Sequence, residues 1–96
     1  MELCIFARFH ARAGQEDAVA AALNDVVPQA RTEPGCRAIG AYRSTRDPRL
    51  YYIHSRWTDE AAFERHAEQP HTLRFIDRVQ PLIDHPLDVT RSRPLA

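Results

Sequence analysis

The spacing of hydrophobic residues switches repeatedly along this chain between a period of two, typical of strands, and a period near 3.6, typical of helices. The switches predict strands at residues 2–10, 36–44, 50–58 and 86–93, and helices at 15–32, after a cap at Thr58 or Asp59, and from Pro70. A chain of 96 residues with this alternation is restricted to a small set of layered folds that combine one sheet with a few helices.

The predicted element order, β-α-β-β-α-α-β, is that of a split βαβ, ferredoxin-like fold. We therefore predict an α+β protein with a four-stranded antiparallel sheet and helices packed on one face. Residues 1–96 are predicted to form a single domain, because this length supports one hydrophobic core. The third helix is predicted to reach Ile83, since one apolar stripe contains Phe75, Ile76, Val79, Leu82 and Ile83.

The face of the sheet without helices is predicted to mix apolar and charged groups. Alternation along the strands places on it Cys4, Phe6, Arg8, His10, Tyr52, His54 and Arg56. Such a surface is too apolar for water and too charged for an ordinary core, and the same face of a second copy would cover it. We therefore expect a homodimer through the sheet face.

The charge balance excludes several classes of partner. Thirteen acidic residues offset thirteen basic ones, all of them Arg, so no net basic field favours nucleic acid and no lysine is present to form a Schiff base. No stretch approaches the roughly 20 apolar residues of a membrane span, and the N-terminus lacks the basic start of a signal peptide. We expect a cytoplasmic protein with two reduced thiols, Cys4 and Cys36.

The segment from Trp57 to His71 contains the side chains best suited to chemistry. It places an indole at a strand end and two imidazoles, those of His66 and His71, on the helical residues that follow. Histidine exchanges protons near neutral pH, and an indole can form an apolar wall. Structural roles are also open, with Trp57 as a core anchor and His71 ordering a helix terminus. A metal site is not predicted, because five residues of helix rotate the two rings apart by about 140°.

Several short motifs, taken in order, resemble the antibiotic biosynthesis monooxygenase family over nearly the whole chain. They are Arg8-Phe9, Gly14, Glu33-Pro34-Gly35-Cys36, Tyr42-Arg43-Ser44, Asp47-Pro48, Trp57 and His66-x-x-x-Pro70-His71. The family consists of dimeric α/β barrels. It includes cofactor-free quinol and anthrone oxygenases, haem-degrading enzymes and members without an assigned activity.

The resemblance implies an oxidisable aromatic substrate and molecular oxygen, with no cofactor. The haem-degrading branch uses an Asn, a Trp and a His at positions that align here with Ala7, His66 and Ile76. Without a histidine at position 76, haem degradation is not expected. The Pro70-His71 step is similar to that of the quinol-oxidising members.

Oxygen chemistry of this kind needs only a base and a dry pocket, because a phenolate can pass electrons to oxygen one at a time. We predict His66 and His71 as base and hydrogen-bond partner. The predicted substrate-binding residues are Trp57, Phe63, Phe75, Ile53 and Ala7. Two alternatives remain open: a binding or accessory protein without turnover, and an isomerase or lyase of the same barrel architecture.

Overall fold

A computed structural model covering residues 1–96 contains four strands and three helices. The strands are β1 (Leu3–His10), β2 (Cys36–Arg43), β3 (Leu50–Trp57) and β4 (Asp88–Ser92), and the helices are α1 (Glu16–Arg31), α2 (Glu60–Ala67) and α3 (Pro70–Val79). The sheet order is β2-β3-β1-β4, and every neighbouring pair is antiparallel. The predicted α+β, ferredoxin-like arrangement with a four-stranded antiparallel sheet is confirmed.

The helices cover only one face of this sheet. Along β1 the buried side chains of Leu3, Ile5, Ala7 and Phe9 face the helices, whereas Phe6 on the other face is half exposed. The core forms a large cluster between α1, α3 and the sheet and a smaller one around Trp57. The smaller cluster consists of Leu3, Ile5, Trp57, Ala62 and Phe63.

The ends of α2 and α3 follow from local sequence chemistry. The side chain of Asp59 accepts a hydrogen bond from the backbone N–H of Ala62 at 2.9 Å and so caps α2. Pro70 occupies the first turn of α3, where the missing N–H has no cost. The two helices therefore meet at a sharp corner between His66 and His71.

The prediction that the third helix reaches Ile83 is wrong. The α-helix ends at Val79, a 3₁₀ turn spans Gln80–Leu82, and Ile83 is extended and forms a bridge with Ala11. Pro81 lacks the N–H that the next α-helical hydrogen bond would need. The end of the predicted stripe therefore lies beside the end of β1 rather than on the helix.

Gly35, between α1 and β2, lies where neighbouring atoms leave no room for a side chain. Its φ is +86°, in the region that favours glycine. A Cβ atom placed on Gly35 would lie 2.5 Å from the Cβ of Ala62 and 3.0 Å from the hydroxyl oxygen of Thr58. The absence of a side chain thus lets the start of β2 pass directly against α2.

None of the helices has the length and apolar character needed to cross a membrane.

Candidate functional site

An apolar cavity of about 240 Å³ lies between the sheet and the helices. Thirteen of its sixteen lining residues are hydrophobic. The lining consists of Ile5, Ala7, Phe9, Val26, Ala30, Ile39, Ile53, Ser55, Phe63, His66, Ala67, Thr72, Phe75, Ile76, Leu87 and Val89. His66 is the only ionisable side chain among them.

Five of the residues predicted from sequence meet at this cavity, namely Ala7, Ile53, Phe63, His66 and Phe75. Two of the predicted residues lie outside its lining: Trp57 lies behind the cavity wall, and His71 faces a separate hollow. Ala7 and Ile76, the positions aligned with haem-degrading side chains, present only apolar groups to the cavity.

Trp57 packs against His66 from the protein interior. Its side chain is fully buried, and its ring centroid lies 4.7 Å from that of His66 and 5.9 Å from that of Phe63. The indole N–H donates to the hydroxyl of Ser55 at 3.0 Å, so its polar atom is satisfied. Trp57 therefore fixes the plane of the His66 ring while remaining part of the core.

Glu33 connects the two histidines. It is not among the site residues predicted from the sequence. Its Oε2 atom lies 2.9 Å from Nδ1 of His66 and 2.6 Å from Nε2 of His71. The three side chains are 9%, 14% and 16% exposed, respectively. Glu33 follows α1, His66 lies in the last turn of α2 and His71 in the first turn of α3, so three separate parts of the chain bring the groups together.

The expectation that the two histidines diverge does not hold in this geometry. Their rings lie on different helices, so the rotation along one continuous helix does not apply. One ligand-capable atom from each of Glu33, His66 and His71 lies within 4.8 Å of the others. These three residues could therefore hold a metal ion as well as a proton.

The hydrogen bonds assign a role to each nitrogen of His66. A carboxylate oxygen accepts hydrogen bonds, so Glu33 favours the form of His66 that carries a proton on Nδ1. No protein group lies within hydrogen-bond distance of Nε2 of His66. Its lone pair is therefore available to a ligand, in the arrangement that orients a histidine base.

His71 connects Glu33 to a second, more polar hollow between α1 and α3. This hollow has a volume of about 410 Å³ and is lined by Ala22, Asp25, Val26, Gln29, His71, Arg74, Phe75 and Arg78. Val26 and Phe75 line both spaces. Glu33 thus contacts one imidazole from the apolar cavity and one from a polar groove.

Cys36 lies close enough to Glu33 to be influenced by its charge. Burial raises the pKa of the Cys36 thiol, and the negative charge of Glu33 raises it further. Both effects favour the neutral thiol, which is a weaker nucleophile than the thiolate. Cys36 is therefore poorly suited to act as a nucleophile beside this site.

The cavity-lining residues that were not predicted carry only weak signals in the sequence. Val26 and Ala30 follow helical spacing on the buried side of α1, and Ile39 is the one buried residue of β2. These patterns indicate core positions but not which part of the core is hollow. Glu33 precedes Pro34-Gly35 and resembles an ordinary polar residue at a helix end.

Comparison with known proteins gives consistent results. The family model described as "Antibiotic biosynthesis monooxygenase" matches residues 3–78. The chain is 30% identical to Rv0793 of Mycobacterium tuberculosis over 93 residues. The match covers 97% of this chain and 91% of Rv0793, whose name assigns that protein provisionally to the monooxygenases.

Solved structures show the same fold. Rv0793 superposes with a TM-score of 0.94 at 28% identity, covering 100% of this chain and 97% of the other. PA3566 of Pseudomonas aeruginosa gives a TM-score of 0.91 at 29% identity, with 99% and 95% covered. By its sequence match and by its fold, the chain belongs to the antibiotic biosynthesis monooxygenase family.

Proposed function

We propose that this protein is a cofactor-independent monooxygenase that oxidises a small aromatic substrate, a hydroquinone or polycyclic phenol, with molecular oxygen. The main support is that His66 is the only ionisable group lining an apolar cavity and is held at Nδ1 by the buried Glu33. Family membership favours oxygen chemistry, and the apolar lining favours an aromatic ring over a charged substrate.

In the proposed mechanism, His66 acts as the base. Its Nε2 removes the proton from the substrate hydroxyl, and Glu33 stabilises the resulting imidazolium through the bond to Nδ1. His71 donates to the same Glu33 oxygen and holds the carboxylate in place. His71 is therefore a positioning residue here, and the tilted ring of Trp57 restricts rotation of His66.

The phenolate then reduces oxygen in single-electron steps. Transfer of one electron gives a substrate radical and superoxide, and their combination forms a carbon–oxygen bond. Proton transfer from the imidazolium gives a hydroperoxide, which loses water to leave a new carbonyl. One phenol and one oxygen molecule thus yield one quinone and one water, and the apolar wall of Phe63 and Phe75 shields the radical pair.

Oxygen uptake tests this proposal. A panel of hydroquinones, naphthols and anthrones is first screened for binding by thermal shift, and each binder is then assayed for oxygen consumption with a chelator present. We expect substrate-dependent uptake with one oxygen consumed per quinone formed. Leu73→Ala, at an exposed position on α3, is the matched control and should behave like the wild type.

The other outcomes would contradict the proposal in different ways. Product formed under strict anaerobiosis would indicate an isomerase or lyase. Saturable binding without uptake or product would indicate a binding or accessory protein. Unchanged turnover in His66→Ala would eliminate His66 as the base.

A second copy of the chain is the proposed partner, through the open sheet face. Phe6, Tyr42 and Tyr52 are exposed there, and Phe6 stacks on His54 with ring centroids 4.8 Å apart. Arg56 is paired with Glu2 at 2.9 Å on the same side. Light scattering should give twice the mass of the chain, and Phe6→Glu should shift it to the monomer; a wild-type monomer at micromolar concentration would contradict the dimer.

A further inference from the structure

A second group of histidines and carboxylates lies at the far end of β1 from Trp57. His10 is the last residue of β1. Asp47 and Arg49 lie in the loop that precedes β3, and Asp84 and His85 follow the 3₁₀ turn. The register pairs Leu3 with Trp57 and His10 with Leu50, so this group and Trp57, which packs on His66, lie near opposite ends of the strand.

The centre of this group is one oxygen of Asp84. Its Oδ1 atom lies 2.6 Å from Nδ1 of His10 and 2.7 Å from Nδ1 of His85. One donor atom from each of the three residues lies within 4.8 Å of the others. The two imidazole rings pack edge to face with centroids 5.0 Å apart.

We propose that His10, Asp84 and His85 form a binding site for a divalent transition-metal ion, with Zn²⁺ as the preferred occupant. Two imidazole nitrogens and one carboxylate oxygen are the ligand set that Zn²⁺, Co²⁺ and Ni²⁺ accept, whereas Mg²⁺ and Ca²⁺ require mostly oxygen. This site is independent of the proposed oxidation reaction.

The groups around the three ligands support this assignment. Metal-bound histidines usually donate their second ring N–H to a carboxylate, which orients the ring. Here Nε2 of His10 lies 3.2 Å from Oδ2 of Asp47, whose Oδ1 accepts from the backbone N–H of Arg49 at 2.9 Å. Arg49 also donates from Nη2 to Oδ2 of Asp84 at 2.7 Å, leaving Oδ1 as a single ligand oxygen.

The backbone holds two of the ligands in place before any ion binds. The N–H of Asp84 donates to the carbonyl of His10 at 3.0 Å, and the N–H of Arg12 donates to the carbonyl of Leu82 at 2.8 Å. Arg49 Nε also donates to the carbonyl of Ala11 at 2.9 Å. His10 and Asp84 are thus fixed relative to each other, which reduces the cost of ordering the site.

Small movements would accommodate the ion. Ligand atoms that surround Zn²⁺ as a tetrahedron, at about 2.0–2.1 Å from the ion, lie about 3.3 Å from one another. The distances from Oδ1 of Asp84 to the two imidazole nitrogens must therefore lengthen by about 0.6 Å when the ion replaces the protons between them. The side chain of His85 is 69% exposed and free to adjust. A neighbouring hollow of about 400 Å³, lined in part by Arg8 and Asp88, leaves space for water as a fourth ligand.

Calorimetric titration with Zn²⁺ tests the proposal on the full chain. We expect one high-affinity site in the wild type and a site weaker by more than about 100-fold in Asp84→Asn and in His85→Ala, since loss of a ligand costs more than loss of an orienting group. Asp47→Asn should bind about 10- to 100-fold more weakly, because it loses only an orienting group. Since His85 is exposed, its substitution should leave the fold intact, which circular dichroism will verify.

His66→Ala and Glu33→Gln are the matched controls, because Glu33, His66 and His71 could also bind zinc. Both should keep the site at Asp84. A Co²⁺ titration adds a second measurement, since intense visible absorption from a four-coordinate ion should appear in the wild type and be lost in His85→Ala. Unchanged affinity in Asp84→Asn and His85→Ala, binding lost only in His66→Ala, or no binding at micromolar zinc would each overturn the proposal.

Discussion

The molecule contains two clusters of similar composition in different surroundings. In each, a single carboxylate oxygen lies within 3 Å of nitrogens from two histidines: Glu33 with His66 and His71, and Asp84 with His10 and His85. The Glu33 cluster adjoins an apolar cavity, and no arginine pairs with its carboxylate. The Asp84 cluster is more exposed and includes Arg49.

The contrast shows that surroundings, rather than ligand type, decide which chemistry a cluster supports. Hydrogen bonding from His10 lowers the pKa of Asp84 to about 2, and His85 adds to this effect, so the carboxylate stays ionised at a lower pH than an ordinary aspartate. A second carboxylate, that of Asp47, and the guanidinium of Arg49 contact this cluster, which favours the proposed metal site. Around Glu33 the free nitrogen of His66 meets an apolar space, which suits transfer of a proton from a bound ligand.

The largest effect is expected for His66→Ala. Loss of a general base should lower turnover by about 10² to 10⁴-fold, measured as substrate-dependent oxygen uptake. Turnover of the wild-type protein should persist after chelation. If chelation abolished it, the Glu33 cluster would act through a metal ion, and the contrast between the two clusters would be lost.

Glu33→Gln should lower turnover by about 10²-fold, because an amide stabilises the imidazolium of His66 less well than a carboxylate does. For comparison, the carboxylate that orients the histidine base of a serine protease contributes up to about 10⁴-fold. Binding of an unreactive substrate analogue should change by less than about threefold, since Glu33 does not line the cavity. A matching loss in analogue affinity would mean that Glu33 only supports the shape of the pocket.

His71→Ala should destabilise the fold by about 1–3 kcal/mol, because the nearly buried Glu33 carboxylate loses one of its two hydrogen-bond partners. His85→Ala removes a partner from the more exposed Asp84 and should cost less than about 0.5 kcal/mol. Urea unfolding of both variants in chelator measures the difference. Equal losses would contradict the distinction between a buried and an exposed cluster.

Cys36 offers a smaller but direct probe of the charge at Glu33. Because that charge contributes to the raised pKa of the thiol, Glu33→Gln should increase the thiolate fraction and speed alkylation of Cys36 about two- to fivefold near pH 8. Peptide mass spectrometry separates Cys36 from the buried Cys4. An unchanged rate would indicate that Glu33 does not influence Cys36 through its charge.

The fold was largely predictable because its signals are local. Alternation set the strand ends to within two residues, Pro70 marked a helix start correctly, and of the two predicted caps, Thr58 and Asp59, the structure uses Asp59. The error at α3 arose because an apolar stripe continued across Pro81, and the missing backbone donor outweighed the periodicity.

The site was only partly predictable because its contacts are remote in sequence. His66 and His71 stood out through their residue type, but Glu33 meets them across 33 and 38 positions. Likewise His10 was expected on the open sheet face, but nothing local indicated that its ring contacts Asp47 and Asp84, which lie 37 and 74 positions away. No local pattern contains such separations, so the shared carboxylates emerge only once the helices and strands are placed.

Gly35 limits how far the geometry of the candidate site can change. Glu33 lies two residues before it, and α2, which has His66 in its last turn, passes where a side chain on residue 35 would be. Gly35→Ala would push that helix outward by the width of a methyl group and lengthen the reach from Glu33 to His66. The distance between Glu33 and His66 therefore depends on the missing side chain of Gly35, a residue outside the proposed reaction.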